Sequence, residues 1–317
     1  MSLMSPFVHH IRTTFTKYIH ETQNKICQSL EKLDGKSVFE EDAWQRPGGG
    51  GGKTRIIRNG NIFEKGGVNT SIVHGKLPPE MQKQFKTTHD NFFAAGISLV
   101  LHPQNPFVPT THANFRYFEL MDSDGQCVDS WFGGGIDLTP YYLDVANVKH
   151  FHTTLKAACD SVQLGLYETY KNQCDTYFYI PHRNEMRGVG GIFYDYLRPN
   201  APLQIEQLLA LAQNNADAFL KAYLPIVAQN AQKSYTSEQK KWQEIRRGRY
   251  AEFNLVYDRG TLFGLKTGGR IESILMSLPA TVRWEYNFQP EPNSAEALII
   301  KHLQPIDWVH FCEHRAI

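Results

Sequence analysis

The sequence predicts an α+β chain in which an antiparallel sheet is covered by helices. Three observations carry that expectation. Many short runs rich in β-branched and aromatic residues are separated by turn residues, a few long stretches repeat apolar residues at three- and four-residue steps, and neither an internal repeat nor a linker-like composition shift divides the 317 residues. Burying so many strands calls for a sheet with helices laid against it, and a single domain over 1–317 is expected.

Along the chain, Phe7, Ile11, Phe15, Tyr18, Ile19, Thr22, Ile26 and Leu30 recur at helical spacing, which predicts a helix over about 5–33 ended by Asp34-Gly35. Residues 40–52 read as a loop, its glycines Gly48–Gly52 a mobile segment that folds over a ligand. Residues 54–73 read as short strands with a turn at Asn59-Gly60. Further strands are expected at 96–101, 114–121, 126–132, 176–180, 190–196, 251–257 and 280–286, and helices near 147–171, 202–224, 228–248 and 270–276.

Charge and composition exclude several functions. With 33 Lys+Arg against 32 Asp+Glu, the net charge of +1 rules out nucleic-acid binding by bulk positive charge. No window approaches the ~18 consecutive apolar residues of a membrane-spanning helix. The five cysteines, Cys27, Cys127, Cys159, Cys174 and Cys312, are scattered and odd in number, which argues against a disulfide scaffold, a zinc ribbon or a cysteine-held iron–sulfur cluster and for a reducing compartment. The N-terminus has no acid before Glu21, yet lacks a signal peptide's apolar core and cleavage site; it reads as a helix, and the expected location is the cytoplasm.

Gly52-Lys53-Thr54 ends like a phosphate-binding loop, but Pro47 stands where that pattern needs glycine. Histidine placement says more. His102 and His112 bracket the turn around Pro103–Pro106, while His152 and His182 stand beside polar or glycine-rich segments. Four imidazoles suit either a divalent metal or proton transfer near neutral pH. Asp137 follows Gly133-Gly134-Gly135 directly, and Gly268-Gly269-Arg270 enters a helix. Arg116, Arg187 and Arg270 beside such glycine segments describe a pocket for a ligand with several carboxylates, because guanidinium grips carboxylate bidentately. With 19 Phe, 15 Tyr and 5 Trp to supply a flat apolar wall, the residues describe a planar, polyanionic small molecule and name no reaction.

Longer segments carry a resemblance. Arg46-Pro47-Gly48 through Gly52, Phe63-Glu64-Lys65-Gly66-Gly67-Val68-Asn69, Ser98 through Pro103, His112-Ala113-Asn114-Phe115-Arg116, Trp131 through Pro140, His182 through Asp195, Glu252 through Thr261 and Gly268-Gly269-Arg270 occur in order over most of the chain. In these motifs the sequence resembles the oxygen-dependent coproporphyrinogen III oxidases of haem biosynthesis. It departs from them at Gln173, where the family usually has Trp, and at Tyr194, where it usually has Phe, both read as packing positions.

The resemblance implies a large flat antiparallel sheet with helices on both faces and a homodimer formed through about 250–285. It implies oxidative decarboxylation of the ring A and B propionates of coproporphyrinogen III to vinyls, with O2 consumed, CO2 and H2O2 released, and no organic cofactor. Carried over by motif, Ser98, Asn114, Phe115, Arg116, Gly268, Gly269 and Arg270 line the substrate site and Arg187 clamps a propionate. Asp137 faces the pyrrole N–H groups and His112 is the proton donor, these two being the catalytic residues. Bacterial members imply a divalent metal, Mn²⁺, held by His102, His112, His152 and His182, although an all-histidine set suits zinc or copper better than a hard ion. Two other readings remain open at this stage: a zinc hydrolase using the four histidines, and a tetrapyrrole carrier without turnover. The oxygen-independent enzyme of the same step is excluded, since it needs closely spaced cysteines for an iron–sulfur cluster.

Overall fold

A computed structural model of the chain describes residues 6–200, 203–266 and 269–312. The N-terminal periodicity folds into α1 (Pro6–Asp34). Strands β1 (Glu40–Gln45), β2 (Gly50–Arg58) and β3 (Phe63–Lys76) follow, then the short α2 (Pro79–Phe85) and three long strands, β4 (Asn91–Pro103), β5 (Thr110–Met121) and β6 (Cys127–Thr139). Next come α3 (Val145–Asp160), α4 (Leu166–Tyr177), a two-stranded ribbon of β7 (Tyr179–Ile180) and β8 (Glu185–Met186), and β9 (Gly190–Leu197). Five helices complete the described chain: α5 (Ile205–Asn230), α6 (Ser237–Val256), α7 (Arg259–Lys266), α8 (Ile271–Leu275) and α9 (Ala295–Lys301). The main sheet has seven strands in the order β1-β2-β3-β4-β5-β6-β9, every pair antiparallel. The α+β expectation is met.

Strand alternation divides the sheet into two unlike faces. One is apolar: Ile97 and Leu99 of β4 and Ala113, Phe115 and Tyr117 of β5 are all buried there with α1 and α5. Phe15 of α1 meets Tyr117 and Phe132 edge-on, ring centroids 6.3 and 5.4 Å apart. The other face is polar and glycine-rich, and the chain from α6 to α8 covers part of it. There Asn69 Nδ2 donates to the Ser273 carbonyl at 3.0 Å, and Met276 sits so close over Gly67 that a Cβ would fall 2.0 Å from its sulfur.

Asp34 fastens the end of α1 to the β2–β3 turn. Its carboxylate accepts the backbone N–H groups of Ser37, Asn61, Ile62 and Phe63 at 2.8 to 3.1 Å. Burial favours the neutral acid, but these four donors outweigh it and hold the carboxyl below its ordinary pKa.

Five expected elements differ, the first being 176–180, of which only Tyr179–Ile180 is strand because α4 runs on to Tyr177. The glycine segment is mostly strand: Gly51 and Gly52 pair with Gln45 and Trp44 on one side and with Ile72 and Ser71 on the other. Glycines carry no side-chain alternation, and β1 is a charged, largely exposed edge strand, so neither showed the period of a half-buried strand. Residues 147–171 form two helices, because Gly165 takes φ +86° between α3 and α4. Residues 251–257 continue α6, since Tyr250, Phe253 and Asn254 extend a buried helical stripe that a strand would split between two faces. Residues 280–286 form no strand. Of the two departures from the family pattern, Tyr194 is buried as expected and Gln173 is exposed, so Gln173 is not a packing position.

Candidate active site

The register of the sheet lines up three rows on its polar face, because directly opposed residues of antiparallel strands point the same way. Across the strands run Asp42, Thr54, Asn69, Ser98, Asn114, Gly135 and Phe193. On one side lies the row Ile56, Gly67, Val100, His112, Asp137 and Gly191; on the other, Trp44, Gly52, Ser71, Gly96, Arg116 and Gly133. Ser71, Gly96, Ser98, Asn114 and Phe193 stay partly open. The result is a shallow floor of small and polar groups that leaves room for a flat molecule.

At one side of that floor His112 Nδ1 lies 2.8 Å from Asp137 Oδ1, and Arg187 Nη2 donates to Asp137 Oδ2 at 2.7 Å. Asp137 is buried, its side chain 3% exposed against 24% for His112, so the imidazole is the open end of the pair. Burial alone would raise the Asp137 pKa, but the Arg187 charge and the His112 hydrogen bond outweigh it and hold the carboxyl below its ordinary value. Arg187 is boxed in: its guanidinium carbon lies 4.2, 4.5 and 4.8 Å from the ring centroids of Phe178, Tyr250 and Phe253, and Nη1 donates to Asn254 Oδ1 at 2.8 Å.

Two other arginines edge the floor. Arg116 Nη2 pairs with Asp195 Oδ1 at 2.7 Å across Gly133. Arg270, at the N-cap of α8, donates to Ser273 Oγ at 3.0 Å and pairs with Asp42. Arg116 and Arg270 thus approach the floor from β5 and from α8 over the β1–β2 end.

Of the four histidines, only His112 has an uncommitted ring nitrogen. His102 Nε2 donates to the Ser277 carbonyl at 2.9 Å, which leaves Nδ1 to accept from Thr110. His152 repeats the arrangement with the Val189 carbonyl at 3.1 Å and the Tyr167 hydroxyl at 2.8 Å. His182 stands between Tyr257 and Glu252, at 2.8 and 3.0 Å. Burial pushes the pKa values of His102 and His152 down to about 3, so both are neutral structural groups. Among the described residues no three His, Cys, Asp or Glu side chains are grouped so as to hold a metal ion. The four expected histidines stand in four separate hydrogen-bond networks and are not brought together at one site.

The family model for coproporphyrinogen III oxidase matches residues 14–308. The chain belongs to that family. Relatives agree in the same sense: it is 50% identical over 310 residues to the chloroplastic oxygen-dependent coproporphyrinogen-III oxidase of Glycine max, with 94% of this chain and 80% of that one covered. It is 49% identical over 311 residues to the mitochondrial protein of Rattus norvegicus, covering 95% and 69%, and 48% identical over 312 residues to that of Parasynechococcus marenigrum, covering 90% and 84%. Family membership makes the chain an oxidoreductase.

Set against this family reading, Ser98, Asn114, Arg116, Gly269 and Arg270 gather on or beside the polar face, while Gly268 lies outside the described residues. Phe115, one residue from Asn114 in a strand, points the opposite way into the apolar core and is 3% exposed. Arg187 is a buried guanidinium that donates to Asp137 and Asn254 and holds the Asp137 carboxylate in place. Asp195, Asn254 and Tyr250 received no site role from the sequence. For Asp195 the signal was present, because it follows Gly191 and Phe193 at the two-residue step that keeps one face of a strand.

Proposed function

We propose that this chain converts the propionates on rings A and B of coproporphyrinogen III into vinyl groups, giving protoporphyrinogen IX. For each group R–CH2–CH2–COOH and O2 become R–CH=CH2, CO2 and H2O2, two electrons passing from substrate to oxygen. The observation that carries the reading is the His112–Asp137 pair, open at the imidazole onto a polar, glycine-rich floor that Arg116 and Arg270 border.

Asp137 fixes the Nδ1–H of His112 and so leaves the Nε2 lone pair facing outward, the arrangement that suits a general base. Nε2 takes the pyrrole N–H proton. The electron-rich ring then adds to O2, the ring-bound peroxide removes a propionate β-hydrogen and leaves as HOO⁻, and loss of CO2 forms the vinyl double bond. The proton on Nε2 returns to the ring nitrogen, and water supplies the last proton of H2O2. Asp137 acts through His112: with both oxygens engaged and its side chain buried, it is a positioning residue, in place of the direct pyrrole contact expected from the sequence. Arg116 and Arg270 hold substrate carboxylates, exchanging Asp195 and Asp42 for propionates.

No step is routed through a metal ion or an organic cofactor. A homodimer through about 250–285 is part of the proposal, and Leu255, Val256, Leu265, Ile271, Trp284 and Tyr286, exposed large apolar residues concentrated there, support it. No helix among the described residues is long and apolar enough to cross a membrane, and a cytoplasmic location accords with five free cysteines.

Oxygen consumption with coproporphyrinogen III, using chelator-stripped protein with and without restored Mn²⁺, tests the reading. Uptake with protoporphyrinogen formation is expected in the stripped sample. Uptake only after Mn²⁺ is restored overturns the metal-free mechanism, and none in either sample overturns the oxidase reading, leaving the carrier.

A further inference from the structure

Asn69 lies in the central row of the polar face, and only one end of its amide is engaged. The residue is 8% exposed, and its Nδ2 donates to the Ser273 carbonyl of α8 at 3.0 Å. Its Oδ1 is buried and has no hydrogen-bond partner among the described residues. The amide is not free to reverse, since a flip would set its oxygen against the Ser273 carbonyl oxygen. The hydroxyl of Thr54, its neighbour in β2, stands 2.8 Å from Ser273 Oγ. Buried acceptors are nearly always satisfied, so one left bare beside the floor points to a donor that a ligand brings.

The sheet continues the same chemistry across the floor. Register sets Ser98 opposite Asn69 and Asn114 opposite Ser98, so an amide oxygen, a hydroxyl and a second amide oxygen follow one another at steps of about 5 Å. Ser98 and Asn114 are partly open. Asn114 Oδ1 receives only a long contact from Arg116 Nη1, at 3.4 Å. None of the three side chains is charged, and the carboxylates bordering the floor, Asp137 and Asp195, are already paired with arginines. A row of neutral acceptors has nothing to offer a carboxylate; it suits N–H donors.

We propose that Asn69 reads the oxidation state of the macrocycle, its Oδ1 accepting a pyrrole N–H and so favouring a porphyrinogen over the corresponding porphyrin. The proposal rests on the tetrapyrrole reading of this site. A porphyrinogen presents four pyrrole N–H donors, whereas a porphyrin has two, and its other two nitrogens carry lone pairs that an acceptor repels. With Nδ2 held by Ser273, Asn69 has no donor to turn toward those lone pairs, so the oxidised ring is disfavoured rather than accommodated. The segment over Asn69 also carries Arg270; when a propionate draws Arg270 from Asp42, that segment shifts and opens Oδ1 to the ring.

Anaerobic equilibrium binding of coproporphyrinogen III and of coproporphyrin III, which differ in ring oxidation and not in their carboxylates, tests this. Asn69→Leu is expected to reduce the preference for the porphyrinogen about tenfold, the worth of one buried hydrogen bond. Asn69→Asp keeps an acceptor and is expected to hold that preference. Both variants lose the Nδ2 donor to Ser273, so a role confined to holding α8 would affect them alike. Equal loss for both rings in Asn69→Leu, no loss for either, or the same fall in preference in the two variants overturns the proposal. Failure of the unmodified protein to bind either ring overturns the tetrapyrrole reading on which it rests. Oxygen uptake by the unmodified protein is recorded once air is admitted, and its absence overturns the oxidase reading and not the role of Asn69.

Discussion

His112 and Asp137 are direct cross-strand partners, opposed in the β5–β6 register with Nδ1 and Oδ1 2.8 Å apart. The pair is therefore set by main-chain hydrogen bonding as much as by its own contact. Because the imidazole is the exposed member, His112→Gln should lower oxygen uptake by roughly 10²- to 10⁴-fold, the usual worth of a positioned acid–base group, and leave the melting temperature nearly unchanged. Asp137→Asn should also abolish most uptake, but with a loss of stability of about 3 kcal/mol or more, because Arg187 would remain buried without its anion. Oxygen-electrode rates and thermal melts on the same preparations check both; near-normal uptake by either variant would remove that residue from the mechanism.

Close approach at Gly67 links the sheet to the loop that carries Arg270. A Cβ there would meet Met276 Sδ at 2.0 Å, so Gly67→Val must push the chain around α8 away from the strands. Overpacking of this kind costs about 1–3 kcal/mol. Since Ser273 and Arg270 reach Thr54 and Asn69 from α8, the KM for coproporphyrinogen III should rise more than kcat falls.

Acid should destabilise the protein well before its carboxylates are protonated. Folded His102 and His152 titrate near 3, whereas an unfolded histidine titrates near 6.5. Between those values the unfolded chain binds the extra protons, so their contribution is intact above pH 6.5 and is lost as pH falls toward 3. At pH 5.5 the two together should remove about 2–3 kcal/mol. Melting curves from pH 8 to pH 4.5 read this slope, and His152→Asn should flatten it.

Exposed apolar residues between Leu255 and Tyr286 predict the oligomeric state. Ile271→Asp, placing a charge on a side chain now 58% exposed, should convert a dimer into monomers in light scattering without lowering the melting temperature of a dilute sample. An unchanged mass would place the interface elsewhere.

Much of the fold was legible locally. The α1 periodicity, the Asp34-Gly35 stop, the Asn59-Gly60 turn and the long strands β4 to β6 all express residue preferences that act within a few positions. The misread segments were those where local preference is weak. Glycines in β2 have no side chain to alternate, and the end of α6 is rich in residues that also suit strands, so its helical form follows from the stripe it buries.

For the site, the sequence alone determined which chemistry was present: the arginines, the glycine segments, Asp137 and the histidines, in motifs specific enough to imply a family. Which of them meet was decided by tertiary structure. Strand register put His112 against Asp137 and alternation turned Phe115 into the core, while burial claimed Arg187, His102 and His152 for structural pairs. The physical reason is that a residue's chemical type is local, whereas its partner, its exposure and its charge state depend on segments far away in the chain.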